Sequence, residues 1–363
     1  MTYSHDQNSA HRTSTFFYYW LFSITLLITS CSAKDGELSD DQDGDSDRFV
    51  EDMRTNTNFS ELSDGGESMR LDLDADVSKG GQDAQDLSMT DMGVEMIDQQ
   101  DQIVKSFKRG IAYGFDHLAD FEALSEGVSW WYNWSPSYRS PVADHYQDLE
   151  VEWVPMTWNG NNPDQIRTFL ETHPNIRYLL TYNEPNFQDQ ANLTPAYAAS
   201  IWPQFEEIAE EYDVKLVGPA VNYCGGCVVV DGAPIGSPFT IWMDMFFDEF
   251  RTQFGREPRM DYTALHWYDY GLEDQVNEMV MRYGKPVWLT EFALWRAEDW
   301  ATDEVERQWL LDMVAFLEDH PFVHRYAWFT GRRSDFPKIN LLSEEGTLTP
   351  LGEAYVNAPH SLE

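Results

Sequence analysis

Two glutamates of this chain of 363 residues directly follow apolar, strand-like runs. Glu184 lies between Asn183 and Pro185, and Glu291 follows Thr290. A carboxylate at the end of a buried strand is costly unless it faces a polar cleft. Cleavage of a glycosidic bond needs one carboxylic acid and one carboxylate on opposite faces of a sugar. The pair therefore predicts general acid and nucleophile chemistry on a carbohydrate.

The elements that must position these residues are short β-rich runs that alternate with helical patterns. Strands are predicted at 109–115, 128–134, 151–158, 177–184, 215–221, 262–269, 286–293 and 324–330. The clearest helices are predicted at 163–172, 195–212, 240–254, 273–283 and 303–318. A capping residue precedes a first-turn proline at Pro163 and at Pro195, which marks two helix starts. This alternation predicts an α/β fold, a compact (β/α)8 TIM barrel in which the first helices are short or missing.

In such a barrel the chemistry lies at the carboxyl ends of the strands. Glu184 ends the fourth predicted strand and Glu291 the seventh, so the two carboxylates are expected to face each other across the barrel mouth. At a separation of about 5–5.5 Å the second carboxylate acts as a nucleophile, and the configuration of the sugar is retained.

Aromatic and amide side chains are dense at the other strand ends, where a sugar-binding cleft needs ring faces and fixed hydrogen-bonding groups. The predicted sugar-binding residues are Asn183, Trp131, Asn133, Trp134, Trp158, His266, Trp267, Tyr268 and Trp328. A single strand-end Trp is more often a packing residue, and His266 fits a core histidine as well as a site residue. Five such ends together favour the cleft. No histidine spacing indicates a metal site, and no cofactor is expected.

Composition divides the chain near residue 105. Residues 32–105 contain 21 acidic and 6 basic residues and almost no aromatics, so residues 31–105 are predicted to be a disordered acidic linker. Residues 106–359 carry nearly all the Trp and are predicted to be the catalytic domain. The net charge of −39 excludes a nucleic-acid partner, because a phosphate backbone requires a basic face.

The N-terminus contains an apolar run at 16–29, which is shorter than the roughly 20 residues that span a bilayer. It fits the apolar region of a signal peptide. The run leads to Ser30 and Cys31, which resembles a bacterial lipobox. Residues 1–30 are therefore predicted to be a lipoprotein signal peptide, with lipidation of the Cys31 thiol; an ordinary cleaved signal remains the alternative. The expected product is a secreted monomer at the outer membrane or cell surface, with membrane contact through the lipid anchor alone.

Two further cysteines, Cys224 and Cys227, flank two glycines in a loop after the fifth predicted strand. In an oxidising compartment this spacing favours a structural disulfide that pins the loop. Redox chemistry would need a thioredoxin-like pattern, which does not surround it. Zinc binding would need two more ligands at suitable spacing.

Residues 108–355 resemble glycoside hydrolase family 128, the compact (β/α)8 endo-β-1,3-glucanases. The residues that carry the resemblance are Lys108-Arg-Gly-Ile-Ala112, Trp131-Tyr-Asn-Trp134, Val154-Pro-Met156, Asn183-Glu-Pro-Asn186, Gly218-Pro-Ala220, Ala264-Leu-His-Trp-Tyr268, Trp288-Leu-Thr-Glu-Phe292 and Leu348-Thr-Pro-Leu-Gly352. The resemblance implies that Glu184 is the acid/base and Glu291 the nucleophile. It also implies a β-1,3-glucan such as laminarin or curdlan as substrate, with Asn183, His266 and Tyr268 around the reacting sugar.

The acidic linker and the loop of Cys224 and Cys227 depart from this family pattern, so the number of subsites and endo or exo action stay open. Two other hypotheses compete with the β-1,3-glucanase. One is a retaining barrel glycanase on another β-glycan, such as a β-1,4-glucan, mannan or xylan. The other is a surface lipoprotein that binds β-glucan without cleaving it.

Overall fold

The computed structural model describes residues 105–138, 142–295 and 302–360 of the chain. The predicted signal peptide, the predicted lipidation site Cys31 and the predicted linker up to residue 104 lie outside the described residues. None of the described helices is both long enough and apolar enough to cross a bilayer.

One parallel sheet of nine strands organises the described residues. Its strands, in chain order, are β1 (Arg109–Ala112), β2 (Trp130–Tyr132), β3 (Glu152–Trp153), β4 (Met156–Trp158), β5 (Tyr178–Tyr182), β6 (Lys215–Val221), β9 (Tyr262–Trp267), β10 (Val287–Phe292) and β11 (Val323–Trp328). Between β6 and β9, β7 (Val229–Val230) and β8 (Ala233–Pro234) form a separate antiparallel hairpin.

The two ends of this sheet are consecutive pieces of one stretch of chain. The strand order is β3-β2-β1-β11-β10-β9-β6-β5-β4, and only Val154 and Pro155 separate β3 from β4. β3 pairs with β2, whereas β4 pairs with β5. The sheet therefore curls back towards itself, which gives an α/β barrel-like fold, and each of the eight predicted strands overlaps at least one of its strands.

Helices lie between most of the strands, and the last helix follows β11. They are α1 (Leu118–Ser125), α2 (Pro163–Thr172), α3 (Pro195–Ile201), α4 (Pro203–Glu211), α5 (Phe239–Phe254), α6 (Leu272–Tyr283), α7 (Asp303–Asp319) and α8 (Pro350–Val356). The first connection contains the two-turn helix α1. In the second, the described residues form only the short 3₁₀ turn Val142–Asp144. The expectation of short early helices is thus met by these two elements.

Prolines begin two helices where the sequence predicts them, and a third proline interrupts a predicted helix. α2 and α3 begin at Pro163 and Pro195, and the Thr194 hydroxyl accepts a hydrogen bond from the Tyr197 amide as an N-cap. The predicted helix 195–212 is divided into α3 and α4, because Pro203 has no amide hydrogen to continue the ladder.

The strands bury both faces of the sheet. Outward side chains such as Trp131 and Tyr326 pack in one cluster with the helices, while alternate residues such as Trp130 and Trp288 form a second cluster. Large rings in the second cluster are matched by small neighbours. A Cβ atom at Gly110 would lie 2.3 Å from the Trp130 ring, so only glycine fits there.

Candidate active site

Glu184 and Glu291 are brought together at the carboxyl ends of the strands. Glu291 lies near the end of β10, and Glu184 follows β5 by two residues. Glu184 is 8% exposed and Glu291 is 4% exposed. Glu184 has a φ of +42°, an unfavourable conformation for a residue with a side chain. Its amide donates to the Ala220 carbonyl of the neighbouring strand at 2.7 Å, which helps to hold that conformation.

His266, at the end of β9, lies between the two carboxylates. Its Nδ1 is 2.9 Å from Oε1 of Glu184, and its Nε2 is 3.5 Å from Oε1 of Glu291. One side-chain atom from each of the three residues lies within 4.8 Å of the others. An oxygen of each glutamate thus lies nearer to the other than the roughly 6.5–9.5 Å between the carboxyl groups of inverting glycoside hydrolases.

Three donors hold the carboxylate of Glu291. The Tyr132 hydroxyl and the Trp134 indole donate to Oε1 at 2.9 and 2.7 Å, and the Tyr268 hydroxyl donates to Oε2. Hydrogen bonds to a charged group are among the stronger ones in proteins. They fix the carboxylate in one orientation towards the cleft, as a nucleophile requires.

Glu184 is held differently, through one oxygen. The Asn222 amide donates to Oε1 at 3.0 Å, and His266 Nδ1 is bonded to the same oxygen. No donor in the described part of the chain reaches Oε2 of Glu184, and that atom is not buried. Oε2 is therefore the oxygen placed to exchange a proton with a ligand in the cleft.

Burial and charge set the protonation of this cluster. Burial raises the pKa of Glu291 above its ordinary value and the charge of Glu184 adds to the rise, while His266 and the donors Tyr268 and Trp134 oppose it. Burial alone would lower the pKa of His266, but the two carboxylates outweigh it and raise that pKa. Burial and the charge of Glu291 raise the pKa of Tyr132 and of Tyr268 well above the ordinary value, so both phenols stay protonated donors.

Two carboxylates and a histidine also have the composition of a metal site. Here O–H and N–H donors from Tyr132, Trp134 and Tyr268 already occupy about three of the roughly four lone-pair positions of the Glu291 carboxylate. The donor set therefore favours an acid/base pair over a metal centre.

Several predicted sugar-binding residues surround this cluster. Trp134, His266 and Tyr268 contact the carboxylates directly. Asn183 and Asn133 each have a buried side-chain oxygen that accepts no hydrogen bond from the described residues, which is unusual for a buried polar atom. Trp158 and Trp267 are half-buried residues at the ends of β4 and β9.

The prediction was wrong for Trp131 and Trp328. Trp131 packs on Phe121 and Trp153 on the helix side of the sheet, and Trp328 packs on Phe292 in the same cluster. Both are at most 1% exposed. Side chains of a strand alternate between its two faces, and these two residues point away from the cleft.

Sequence analysis missed Tyr132 and Asn222, which touch Glu291 and Glu184. Tyr132 follows Trp131 in β2. Because side chains of a strand alternate between its two faces, Tyr132 points to the inner face of the sheet. Asn222 directly follows β6, so the rule that strand ends carry the chemistry could have found it.

The loop after β6 is pinned as the sequence predicts: Cys224 and Cys227 are joined by a disulfide, with their Cα atoms 5.1 Å apart. Both cysteines are buried, while Gly225 and Gly226 between them are exposed. The bridge lies near the acidic pair, because Asn222, two residues before Cys224, donates a hydrogen bond to Glu184 at 3.0 Å.

Replacing Trp134 and Trp131 separately should distinguish a residue of the active site from a residue of the hydrophobic core. Trp134→Phe removes the indole donor to Glu291, so we expect kcat/KM on a glucan to fall by about 10–100-fold. Trp131→Phe leaves a gap among packed rings, so we expect the free energy of unfolding to fall by about 1–3 kcal/mol with kcat/KM nearly unchanged. Urea unfolding and steady-state kinetics of both variants check this, and equal kinetic losses would contradict it.

The pH profile should respond to Tyr268, because its hydrogen bond lowers the pKa of Glu291. The nucleophile must be ionised, so activity rises with pH as the buried cluster loses its proton. The acid limb of kcat/KM should therefore lie above the ordinary glutamate range. Tyr268→Phe removes the opposing hydrogen bond and should move that limb to still higher pH. Tyr197→Phe, on the exposed face of α3, is the control and should not move it.

A barrel-like α/β fold that holds two buried carboxylates on either side of a shared histidine defines a glycoside hydrolase. Residues 110–355 match the family model described as glycosyl hydrolase catalytic core. The endo-β-1,3-glucanase of Pseudomonas viridiflava, assigned to GH128 subgroup II, is 45% identical with a TM-score of 0.66; the match covers 71% of this chain and all of that one. The chain belongs to glycoside hydrolase family 128.

Other relatives are more distant. The GH128 subgroup II endo-β-1,3-glucanase of Sorangium cellulosum is 37% identical, with a TM-score of 0.60 over 70% of this chain and all of its own. Alkali-sensitive linkage protein 1 of Schizosaccharomyces pombe is 27% identical over 265 residues, which is 69% of this chain and 45% of that protein. The chain thus spans less than half the length of that curated relative.

Proposed function

We propose that this protein is an endo-β-1,3-glucanase that cleaves laminarin- or curdlan-type glucan with retention of configuration, on a closed (β/α)8 barrel. The observation that carries the proposal is the pair of buried carboxylates with unlike surroundings. Glu291 is held through both oxygens, whereas Glu184 is held through one and leaves the other open. Similarity to β-1,3-glucanases of the same family, one of them solved with laminaritriose at 25% identity, supports the choice of substrate.

In the first step an oxygen of Glu291 attacks the anomeric carbon and forms a covalent bond to it. The glycosidic bond breaks, its electron pair passes to the leaving oxygen, and Glu184 transfers its proton to that oxygen. In the second step Glu184 removes a proton from water. The water oxygen bonds to the anomeric carbon, and Glu291 is released as a carboxylate.

His266 contributes by lying between both carboxylates. When protonated it offsets part of their mutual repulsion, which allows two acidic groups to share a buried site. Asn183 precedes Glu184, its side-chain oxygen accepts no hydrogen bond from the described residues, and it is proposed to accept a hydroxyl of the reacting sugar. The polar groups of the cleft thus orient one sugar ring between the two glutamates.

Product analysis on laminarin tests the proposal. Proton NMR should show the β-anomer as the first new reducing end, followed by slow mutarotation. A mixture of oligosaccharides, with a rapid loss of viscosity, is expected for endo action. An α-anomer formed first would contradict retention. Faster release of reducing sugar from a β-1,4-glucan, mannan or xylan would show that this other glycan is the substrate. Binding of laminarin without any product would show that the protein binds β-glucan without cleaving it.

We further propose export of the chain as a monomeric lipoprotein anchored through Cys31 at the outer membrane or cell surface. The disulfide of Cys224 and Cys227 supports export, because such bonds persist in oxidising compartments. Metabolic labelling with an alkyne fatty acid should label the chain and fail to label the Cys31→Ser variant. Equal labelling of both would contradict lipidation at that residue.

A further inference from the structure

Asn222 is locked in one orientation beside the proposed acid/base. Its side-chain oxygen accepts from the Tyr223 amide at 2.8 Å, and its side-chain nitrogen donates to Oε1 of Glu184 at 3.0 Å. The first bond fixes which end of the amide faces Glu184. The residue is 4% exposed, so solvent cannot readily replace it as a donor.

The backbone of Asn222 is fastened to the loop that carries Glu184. The Asn186 side chain donates to the Asn222 carbonyl at 2.6 Å, and the Asn186 carbonyl accepts from the Val228 amide at 2.8 Å. Asn186 is only 1% exposed. The loops after β5 and β6 are therefore joined on both sides of the Cys224–Cys227 turn.

The disulfide turn supplies the remaining contacts between these loops. The Gln188 amide donates to the Gly226 carbonyl at 2.9 Å, and the Gln188 side chain donates to the Cys227 carbonyl at 2.7 Å. Both acceptors lie within or at the end of the turn that the disulfide closes. A Cβ atom at Gly225 or Gly226 would meet no other atom within 4 Å, so the tip of the turn, unlike its two buried cysteines, does not pack on neighbouring side chains.

From these contacts we infer that Asn222 is a positioning residue for Glu184, and that the Cys224–Cys227 disulfide fastens the loop that holds Asn222. The inference rests on the proposed function and deepens it. With Asn222 and His266 both bound to Oε1, Oε2 is presented to the leaving oxygen. Without Asn222 the carboxyl group can rotate about its last bond, and the proton is less often aimed at that oxygen.

This role predicts a defect that depends on the leaving group. A sugar hydroxyl is a poor leaving group and needs the proton of Glu184, whereas dinitrophenolate leaves without one. Asn222→Ala should therefore lower kcat/KM on laminarin by about 10–100-fold. The same variant should keep kcat/KM on 2,4-dinitrophenyl β-laminaribioside within about twofold of wild type. The ratio kcat/KM depends on substrate binding and glycosylation and not on the later hydrolysis of the glycosyl-enzyme.

A double-mutant cycle tests the fastening. The Cys224→Ser/Cys227→Ser pair should show the same leaving-group dependence with a smaller loss on laminarin. Added to Asn222→Ala, it should cause little further loss, because both changes release the same carboxyl group. Val229→Ala, exposed on β7 outside the disulfide turn, is the matched control and should equal wild type on both substrates.

The possible outcomes separate this inference from the proposed function. Equal losses of Asn222→Ala on laminarin and on the aryl substrate would overturn the positioning role. Losses that multiply in the triple variant would overturn the fastening by the disulfide. A wild-type chain that hydrolyses neither substrate would instead refute the proposed glucanase, and laminarin-specific, non-additive losses would establish the inference.

Discussion

Replacing Glu291 with Gln should abolish turnover of both laminarin and activated aryl glycosides, with a loss on the order of 10⁴-fold or more. An amide is a poor nucleophile, so the covalent intermediate cannot form whatever the leaving group is. The substitution fits the site, because the amide oxygen can accept from Tyr132 and Trp134 while the amide nitrogen donates to Tyr268. Steady-state kinetics on both substrates give the measurement.

Folding and binding should survive this change. Burial raises the pKa of Glu291, so the ionised form is disfavoured in the folded protein, and a neutral amide should not lower the Tm. Titration with laminari-oligosaccharides, followed by tryptophan fluorescence, should still show binding. Glu207→Gln, exposed on α4, is the control and should retain full activity. Residual turnover above about a hundredth of wild type would show that another group can act as nucleophile.

The positions of the strands could be predicted because apolar runs and turn residues mark them. Predicted strands 215–221 and 286–293 differ from β6 and β10 by at most one residue at either end. The two glutamates could also be predicted, since a charge after a buried run signals a polar cleft. These features depend on local sequence alone.

The direction of individual aromatic side chains could not be predicted. Trp130, Trp131 and Tyr132 form β2 as three consecutive aromatics, so the strand lacks the apolar–polar alternation that reveals which face is inside. The sequence therefore does not reveal that Trp131 faces the helices and Tyr132 the inside of the sheet. The contact of Asn222 with Glu184 depends on the pairing of β5 with β6, which local sequence does not encode.

Backbone strain around the cleft could not be predicted from the sequence either. Trp134, Trp158 and Glu184 have φ values of +59°, +57° and +42°, although large side chains disfavour this region by about 1–3 kcal/mol each. All three lie at or just after the carboxyl end of a strand. Tertiary hydrogen bonds offset the strain, for example from the Asn183 amide to the Trp158 carbonyl at 2.7 Å. The rest of the fold thus stabilises conformations that residue type alone would argue against.

Replacing Glu184 with Gln should lower kcat/KM by an amount that depends on the leaving group of the substrate. On laminarin the proton for the leaving hydroxyl is lost, so kcat/KM should fall by about 10²–10⁴-fold. On 2,4-dinitrophenyl β-laminaribioside the first step needs no proton, so kcat/KM should stay close to wild type. The second step still needs a base to activate water, so kcat on this substrate should fall and the glycosyl-enzyme should accumulate.

Azide provides the decisive control for this assignment. It is a nucleophile that needs no base, so in Glu184→Gln it should raise kcat on the aryl substrate and give a β-laminaribiosyl azide. The same anion should not help Glu291→Gln, which forms no intermediate for it to attack. The two variants should differ in this response because only Glu184→Gln keeps the Glu291 carboxylate and so forms a glycosyl-enzyme that azide can attack. Rescue of Glu291→Gln with retention, or an aryl-substrate kcat/KM that collapses in Glu184→Gln, would reverse the roles of the two glutamates.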